Sequence, residues 1–219
     1  MKKIRKAVIP AAGMGTRVLP ATKSMPKEMF PIVDKPAIQY IVEEAVNSGI
    51  EEILIITNRG KGIIEDHFDY SPELEQALLK GGKNEFYDTV TAIPKLANIT
   101  YVRQKETKGL GHAISCAKSF VGDEPFAVLF GDDVIVGEDP AVAQLIRVYE
   151  KYGKGVLGVK EVPKSEIHKY GSLKVDRLEG NVFSCTDMVE KPATEAEVLS
   201  YYSILGRCVL PPEIFSILE

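Results

Sequence analysis

Two uninterrupted apolar runs flank an amphipathic helix pattern near the start of the chain, and this pattern restricts the fold most. Residues 53–56, Ile-Leu-Ile-Ile, are a continuous apolar run typical of a strand covered on both faces, and residues 6–9 form a similar run. Between them, residues 36–48 carry apolar side chains at helical spacing, with Pro36 suited to the first turn and Gly49 to the position after the last one. Strand, helix and strand in this order predict a parallel βαβ unit.

The alternation continues to about residue 155, after which short strands dominate. We expect helices at 61–68, 72–93 and 109–120 and one capped by Asp139, with strands at 99–102 and 125–130. Later strands are expected at 156–162, 171–175, 182–189 and 204–210, with a short helix at 195–201. The pattern predicts an α/β fold with a mixed, mainly parallel central sheet flanked by helices. No long linker or repeat is visible, so we expect a single domain over residues 1–219.

Composition excludes several classes of protein. Of the 219 residues, 45% are hydrophobic, but no apolar run approaches a membrane span and none near the start suits a signal peptide. The net charge of −4 argues against general nucleic-acid binding. Three cysteines without metal-type spacing indicate reduced, buried thiols. We therefore expect a cytoplasmic globular protein that binds neither membranes nor nucleic acids.

A small-residue turn followed by cations comes directly after the first strand. Gly13 and Gly15 allow a tight turn, and Arg17, Lys23 and Lys27 follow. Exposed backbone amides and these charges together favour a phosphate-binding loop over a plain solvated basic loop. The turn is neither a dinucleotide-binding fingerprint, because its third glycine is absent, nor a P-loop, because Gly-Lys-Ser/Thr is absent.

Other polar residues stand where later strands end. Asp132 and Asp133 could hold Mg²⁺ together with phosphate oxygens, or simply end the strand. The Gln104 amide could pair with the imide N–H and a carbonyl of uracil, or face water. Glu190 and Lys191 suit the hydroxyls and phosphate of a sugar phosphate, or form an exposed ion-paired turn. The residues alone leave these alternatives open.

The segment from Gly13 onward resembles the signature of the sugar-1-phosphate nucleotidyltransferases. The matching residues are Gly13-Met14-Gly15-Thr16-Arg17, Pro20, and Lys27 followed by Pro31-Ile32. The sequence of residues 20–29 is similar to that of the bacterial members that use UTP and glucose 1-phosphate. The similarity continues through Gly206-Arg207. This resemblance implies a Rossmann-like fold and a Mg²⁺-dependent reaction that yields UDP-glucose and pyrophosphate. It also implies a nucleotide-binding half at about 1–135 and a sugar-binding half at about 136–219.

The resemblance also implies a role for each candidate residue. Arg17 and Lys27 would hold the β- and γ-phosphates, and Lys191 the sugar phosphate. Asp132 would bind Mg²⁺. Glu190 would accept from the sugar hydroxyls and Gly171 would pack on the hexose. The remaining nucleotide-binding candidates are Ala11, Ala12, Gly13, Gly15, Thr16, Lys23, Gln104 and Gly109.

Several alternatives stay open at this stage. A related enzyme for another base or hexose would share residues 13–35 and differ around Gln104, Gly109 and Glu190. In the family a second metal carboxylate lies beyond position 219, so a shortened chain that binds nucleotide but turns over poorly is another alternative. His112 is expected near the base, whereas His67 and His168 are expected to be ordinary surface or packing residues. The oligomeric state is open, with a homo-oligomer as one alternative.

Overall fold

The strands of this chain form one large sheet and two small ones in the computed structural model, which describes residues 2–218. In chain order the strands are β1 (Lys6–Pro10), β2 (Pro31–Ile32), β3 (Lys35–Pro36), β4 (Glu52–Thr57), β5 (Asn98–Arg103), β6 (Phe126–Leu129), β7 (Val156–Glu161), β8 (Gly171–Glu179), β9 (Val182–Glu190) and β10 (Tyr202–Leu210). The helices are α1 (Ala37–Asn47), α2 (Gly62–Phe68), α3 (Pro72–Lys80), α4 (Asn84–Ala92), α5 (Leu110–Ser115), α6 (Lys118–Val121), α7 (Ala141–Tyr152) and α8 (Ile214–Leu218).

The large sheet confirms the predicted mixed, mainly parallel architecture. Its strand order is β5-β4-β1-β6-β10-β7. β5, β4, β1 and β6 run parallel, whereas β10 is antiparallel to both β6 and β7. The chain order reverses at β1, which lies between β4 and β6. In open α/β sheets, ligands bind outside the carboxyl ends of the strands at such a reversal.

Helices cover both faces of the sheet, and this explains why the apolar runs of the strands are continuous. Ala7 and Ile9 of β1 lie in one buried cluster with Ile38 of α1. Val8, between them, lies in a second buried cluster with Ala113 of α5. Alternate residues of the strand therefore pack against helices on opposite sides.

Two predicted helices are wrong in length because glycines and a bend divide them. The helix expected at 72–93 is two helices, α3 and α4, separated by Gly81 and Gly82, of which Gly82 has a φ of 67°. The helix expected at 109–120 is also two, α5 and α6, with a break at Cys116 and Ala117. Asp139 does not cap α7 as predicted, because Pro140 occupies the cap position and the Asp139 carboxylate pairs with Arg147 instead.

The second half of the chain is only partly an extension of the large sheet. β7 and β10 join it, but β8 and β9 form a separate antiparallel ribbon. The helix expected at 195–201 is a single 3₁₀ turn, Glu195–Glu197. The three cysteines are free thiols, but only Cys208 is buried, and Cys185 is exposed. Within residues 2–218 no helix has the length and hydropathy needed to cross a bilayer.

Candidate active site

The carboxyl ends of the parallel strands meet around a cleft of about 300 Å³. The predicted residues that line it are Ala12, Gly13, Lys27, Gln104, Gly109 and Asp132. Its other lining residues are Pro10, Glu28, Thr107, Leu110, Ala113 and Phe130. A larger depression of about 520 Å³ contains none of the predicted residues and is lined in part by Lys2, Tyr149 and Pro212. We assign the site to the smaller cleft, because it unites candidates from separate segments of the sequence.

Two side chains hold the carbonyl groups of the loop that follows β1. Lys61 donates to the carbonyl oxygen of Ala11, and Asn58 donates to that of Ala12. A trans peptide directs its N–H opposite to its C=O. The N–H groups of Ala12 and Gly13 are therefore directed away from Lys61 and Asn58, at residues that line the cleft. The loop presents backbone donors in a fixed direction.

A buried ion pair between Lys61 and Glu28 supports this loop. Lys61 Nζ lies 2.9 Å from Glu28 Oε2, with exposed side-chain fractions of 7% and 1%. Burial lowers the pKa of Lys61, and the charge of Glu28 opposes that shift. Sequence reasoning missed both residues. The one available signal is that Lys61 follows closely after the carboxyl end of β4, where ligand sites occur.

Lys27 and Asp132 are paired across the cleft. Lys27 Nζ lies 2.6 Å from Asp132 Oδ2, and the two side chains are 25% and 40% exposed. The pair joins the loop after β1 to the end of β6, so a cation and a carboxylate face the same space. A phosphate group could bind to Lys27, and a metal ion to Asp132, by replacing one partner of this pair.

Asp133 points to a different place from Asp132. Its Oδ2 would lie 2.2 Å from a Cβ atom added to Gly206, whose φ is 59°, so the two residues are in close contact. Partial burial raises the pKa of Asp133, and the neighbouring Asp132 charge raises it further. Asp132 lines the cleft and Asp133 does not.

A buried arginine from β10 holds the turn that carries these aspartates. Arg207 Nη2 donates to the carbonyl oxygen of Asp133 at 2.6 Å and to Glu44 Oε2 at 2.7 Å. Glu44 Oε1 also accepts from the backbone N–H of Val142 at 3.2 Å. Sequence reasoning missed this pair, although a lone arginine inside the apolar stretch of β10 is a usable signal for a buried charge partner.

Gln104 lies at the end of β5, where it was predicted. Its backbone N–H donates to the carbonyl oxygen of Thr57 at 2.8 Å. Its Nε2 lies 3.2 Å from the carbonyl oxygen of Gly109 and 2.9 Å from His112 Nδ1. The residue is 5% exposed, so the alternative of an amide that simply faces water is wrong. His112 is thus one contact away from the cleft.

The rest of the phosphate loop does not line the cleft. Gly15 serves the loop itself: its φ is 66°, a Cβ there would lie 2.9 Å from Thr22 Cγ2, and Thr22 Oγ1 donates to its carbonyl oxygen. Thr16, Arg17 and Lys23 are exposed on successive 3₁₀ turns. Of the three predicted cations, Lys27 therefore lines the cleft, whereas Arg17 and Lys23 do not.

The predicted sugar-binding residues form a second cluster at the base of the β8–β9 ribbon. Gly171 pairs with Glu190, and a Cβ at Gly171 would lie 3.2 Å from Glu190 Oε2. Lys191 Nζ lies 3.3 Å from Glu190 Oε1, and both side chains are more than half exposed. The Lys191 backbone has a φ of 48° and donates to the carbonyl oxygen of Tyr170 at 3.0 Å. The structure unites these three residues but does not bring them into the cleft.

The other two histidines are a packing residue, His67, and a surface residue, His168, as expected. His67 Nε2 lies 3.0 Å from Gln39 Oε1, and burial lowers the pKa of His67. His168 is exposed on a 3₁₀ turn. Within residues 2–218 there is no group of three or more histidine, cysteine, aspartate or glutamate side chains that could hold a metal ion.

Comparison with known proteins gives consistent results across the chain. Residues 6–219 match the model of a family described as nucleotidyl transferase. The chain is 56% identical over its full length to the UTP–glucose-1-phosphate uridylyltransferase of Bacillus subtilis, and 58% identical to a second such protein, YngB, from the same organism. It spans 75% and 73% of the lengths of these relatives.

Solved structures show the same relationship. A UDP-glucose pyrophosphorylase with UDP-glucose bound matches at a TM-score of 0.85 and 44% identity, over 98% of this chain and 79% of that one. A UTP-bound enzyme from Acinetobacter baumannii matches at a TM-score of 0.92 and 39% identity, over 98% of this chain and 76% of that one. Because the family model covers residues 6–219 and the Bacillus subtilis relative aligns over the full chain, the chain belongs to the nucleotidyl transferase family.

Proposed function

We propose that this chain transfers the uridylyl group of UTP to glucose 1-phosphate, giving UDP-glucose and pyrophosphate. The observation that carries the proposal is 56% identity over the whole chain to a relative named for this reaction. The cleft at the carboxyl ends of the parallel strands gives it a physical basis, because it combines backbone donors, a lysine, a carboxylate and an amide. A cytoplasmic location remains a prediction.

The reaction is an in-line displacement. A phosphate oxygen of glucose 1-phosphate attacks the α-phosphorus of UTP, a new P–O bond forms, and the bond from the α-phosphorus to the bridging oxygen breaks, so that the electron pair leaves with pyrophosphate. The attacking oxygen is already anionic, and no general base or covalent intermediate is needed. The protein contributes positioning and neutralisation of charge.

The nucleotide side of the proposal rests on the cleft. The backbone of Ala11, Ala12 and Gly13, together with Gln104 and Gly109, would hold the nucleoside. Lys27, which lines the cleft, would bind the triphosphate and stabilise the departing pyrophosphate. Partly buried Gly15 and the exposed residues Thr16, Arg17 and Lys23 would complete the phosphate contacts from the side.

Asp132 is the residue that would hold Mg²⁺. Its carboxylate is 40% exposed, lines the cleft and lies beside Lys27, which fits an ion that takes few protein ligands and completes its shell with phosphate and water. Mg²⁺ supplies, when bound, positive charge that offsets the negative charge of the triphosphate. Asp133, turned toward Gly206, is not part of this proposal.

The sugar side of the proposal rests on the base of the β8–β9 ribbon. Lys191 would bind the phosphate of glucose 1-phosphate, Glu190 would accept from sugar hydroxyls, and Gly171 would let the hexose approach the backbone. Supporting this, the register of the ribbon places Gly171 opposite Glu190, and the ion pair of Glu190 and Lys191 keeps both charges at the same end. Both charges are exposed enough to exchange partners for a substrate.

The test is formation of UDP-glucose by the purified chain. We expect pyrophosphate release and UDP-glucose, detected by chromatography, only when UTP, glucose 1-phosphate and Mg²⁺ are all present. Lys27→Met should reduce the rate about 100-fold or more, since it removes a charge aimed at the phosphates. The matched control is Lys35→Met, which makes the same substitution at a lysine that pairs with Glu43 and does not line the cleft. This variant should leave the rate unchanged. Absence of UDP-glucose under these conditions would refute the proposal.

The competing substrates are separated in the same assay. Replacing UTP by TTP, CTP or ATP, and glucose 1-phosphate by other hexose 1-phosphates, tests whether the chain is a related enzyme for another base or sugar. A chain that binds UDP-glucose in calorimetry but releases no pyrophosphate would instead be a nucleotide-binding protein without turnover.

A further inference from the structure

The proposed sugar-binding cluster, Gly171, Glu190 and Lys191, lies on the β8–β9 ribbon, which is separate from the large sheet. Gly171 begins β8 and pairs with Glu190, and the N–H of Lys191 donates to the carbonyl oxygen of Tyr170 at 3.0 Å. The cleft, by contrast, is built on strands of the large sheet. The position of the sugar-binding cluster relative to the cleft therefore depends on the junction between the ribbon and the large sheet.

A buried serine at the base of the ribbon contributes to this junction. Ser172 directly follows Gly171 and is 0% exposed. Its Oγ donates to the carbonyl oxygen of Ser200 at 2.7 Å and accepts from the N–H groups of Leu199 and Ser200 at 2.9 and 3.0 Å. A carbonyl can only accept and an N–H can only donate, so these partners fix the role of the hydroxyl in each bond. The single proton and both lone pairs of the hydroxyl thus hold two successive residues of the chain.

A second serine bonds in the opposite direction. Ser200 Oγ donates to the carbonyl oxygen of Leu173 at 2.5 Å and accepts from the N–H of Tyr202 at 3.1 Å. Tyr202 begins β10, which lies in the large sheet between β6 and β7. The serine pair, Ser172 and Ser200, therefore joins the first residues of the ribbon to the start of a strand that neighbours β6. The end of β6 leads to Asp132 at the cleft.

The tip of the ribbon is attached through exposed side chains instead. Glu179 Oε1 accepts from Tyr152 Oη at 2.8 Å and pairs with Lys151, both of which end α7. The side chains of Lys151 and Glu179 are 58% and 48% exposed. Exposed ion pairs contribute little to stability. The buried serine pair should therefore determine where the base of the ribbon lies.

We propose that Ser172 and Ser200 are positioning residues for the incoming sugar phosphate, because their hydroxyls hold the sugar-binding cluster in place relative to the cleft. This inference rests on the proposed function and concerns its second substrate, a hexose 1-phosphate. Without either hydroxyl, β8 and β9 would stay paired with each other, but the base of the ribbon could shift relative to β10. A misplacement of about 1 Å between reacting groups costs on the order of 100-fold in rate.

The experiment compares Ser172→Ala and Ser200→Ala with Ser200→Thr, which keeps a hydroxyl at a half-buried position. The readouts are kcat and KM for each substrate at saturating levels of the other, together with the melting temperature. Each alanine variant retains one serine of the pair, so we expect kcat/KM for glucose 1-phosphate to fall about tenfold, the scale of one hydrogen bond. The KM for UTP should not change. Ser200→Thr should keep most of the activity with glucose 1-phosphate.

Ser184→Ala is the matched control on the same ribbon. Ser184 Oγ donates to the carbonyl oxygen of Asp176 at 3.4 Å, farther along β8 and β9, and its loss should leave every kinetic constant unchanged. A lower melting temperature with unchanged kcat/KM for glucose 1-phosphate in the alanine variants would make the serine pair merely structural and overturn the inference. An equal rise in the KM for both substrates would also overturn it. If Ser172→Ala does not fold, Ser200→Ala carries the same comparison.

Binding keeps this inference separable from the reaction. Calorimetric titration with UDP-glucose, and with UDP, which lacks the hexose, tests the serine pair without turnover. If the unaltered chain makes no UDP-glucose, the proposed function fails, while a selective loss of affinity for UDP-glucose over UDP in the alanine variants would still support the serine pair. If the unaltered chain turns over and the ratio of the two affinities is the same in these variants, the inference alone is overturned. Failure of the unaltered chain to bind either ligand would overturn both.

Discussion

The cleft and the base of the β8–β9 ribbon differ in how firmly the protein holds their charged groups. At the cleft, Lys61 and Glu28 form a buried pair, and the carbonyls of Ala11 and Ala12 are fixed by side chains. At the ribbon, Glu190 and Lys191 are exposed and paired mainly with each other. The nucleotide side is therefore ordered before any ligand arrives, whereas the sugar side can change partners.

The largest expected effect concerns the buried support of the cleft. Glu44→Gln leaves the charge of Arg207 buried and unpaired, which should destabilise the fold by about 3–5 kcal/mol. Urea unfolding followed by circular dichroism measures this. Glu179→Gln, at an exposed pair with Lys151, is the control and should leave the unfolding midpoint unchanged. Equal changes in the two variants would contradict the contrast between buried and exposed pairs.

The next effect concerns the two neighbouring aspartates. Asp132→Asn should reduce turnover about 100-fold or more at an unchanged melting temperature, since it removes the carboxylate that lines the cleft. Asp133→Asn should reduce turnover far less, because that side chain faces Gly206. Initial rates of pyrophosphate release compare the two. Similar losses in both would show that the pair acts jointly.

A smaller effect is expected on the sugar side. Lys191→Ala should weaken apparent binding of glucose 1-phosphate by about 1.5–3 kcal/mol, the scale of a charge-assisted hydrogen bond, and leave UTP nearly unaffected. The measurement is KM for each substrate at saturating levels of the other. Lys174→Ala, an exposed lysine on the same ribbon, is the matched control. An equal rise in the KM for UTP would contradict the assignment of Lys191 to the sugar side.

The smallest effect is on stability and depends on pH. Because the pKa of Asp133 is raised in the fold, the folded chain binds this proton more tightly than the unfolded chain, and the ionised carboxylate destabilises the fold near neutral pH. Asp133→Asn should therefore be slightly more stable at about pH 7. The gain should shrink as pH falls through the raised pKa and vanish below the ordinary value of 3.8. A gain that persists in acid would point to another cause.

Much of the fold could be predicted because its signals are local. Continuous apolar runs and helical stripes located the strands of the large sheet and α1, since both faces of that sheet are covered. The errors arose where helical spacing of apolar residues was extended across a break. Gly81 and Gly82 divide one predicted helix, and no periodicity indicates the bend at Cys116 and Ala117.

Some residues of the cleft could be predicted from the sequence, but the geometry of the cleft could not. Lys27, Gln104 and Asp132 were found from motif and strand ends, and they line one cleft. The pairs of Lys61 with Glu28 and of Arg207 with Glu44 join residues far apart in sequence, and single positions gave no indication of their partners. The roles assigned to Arg17, Lys191 and the other site residues remain predictions.

The position of β10 has a consequence for how the protein is made. β10 lies between β6 and β7, and its Arg207 binds both the Asp133 carbonyl and Glu44, a residue 163 positions earlier in the chain. A growing chain emerges from its N-terminus, so the strands that carry most of the cleft appear long before β10 does. Until β10 is in place, the edge of β6 is unpaired and Glu44 lacks its cation. The turn that carries Asp132 can therefore acquire its final support only when synthesis has passed residue 207, and the nascent chain exposes a strand edge until then.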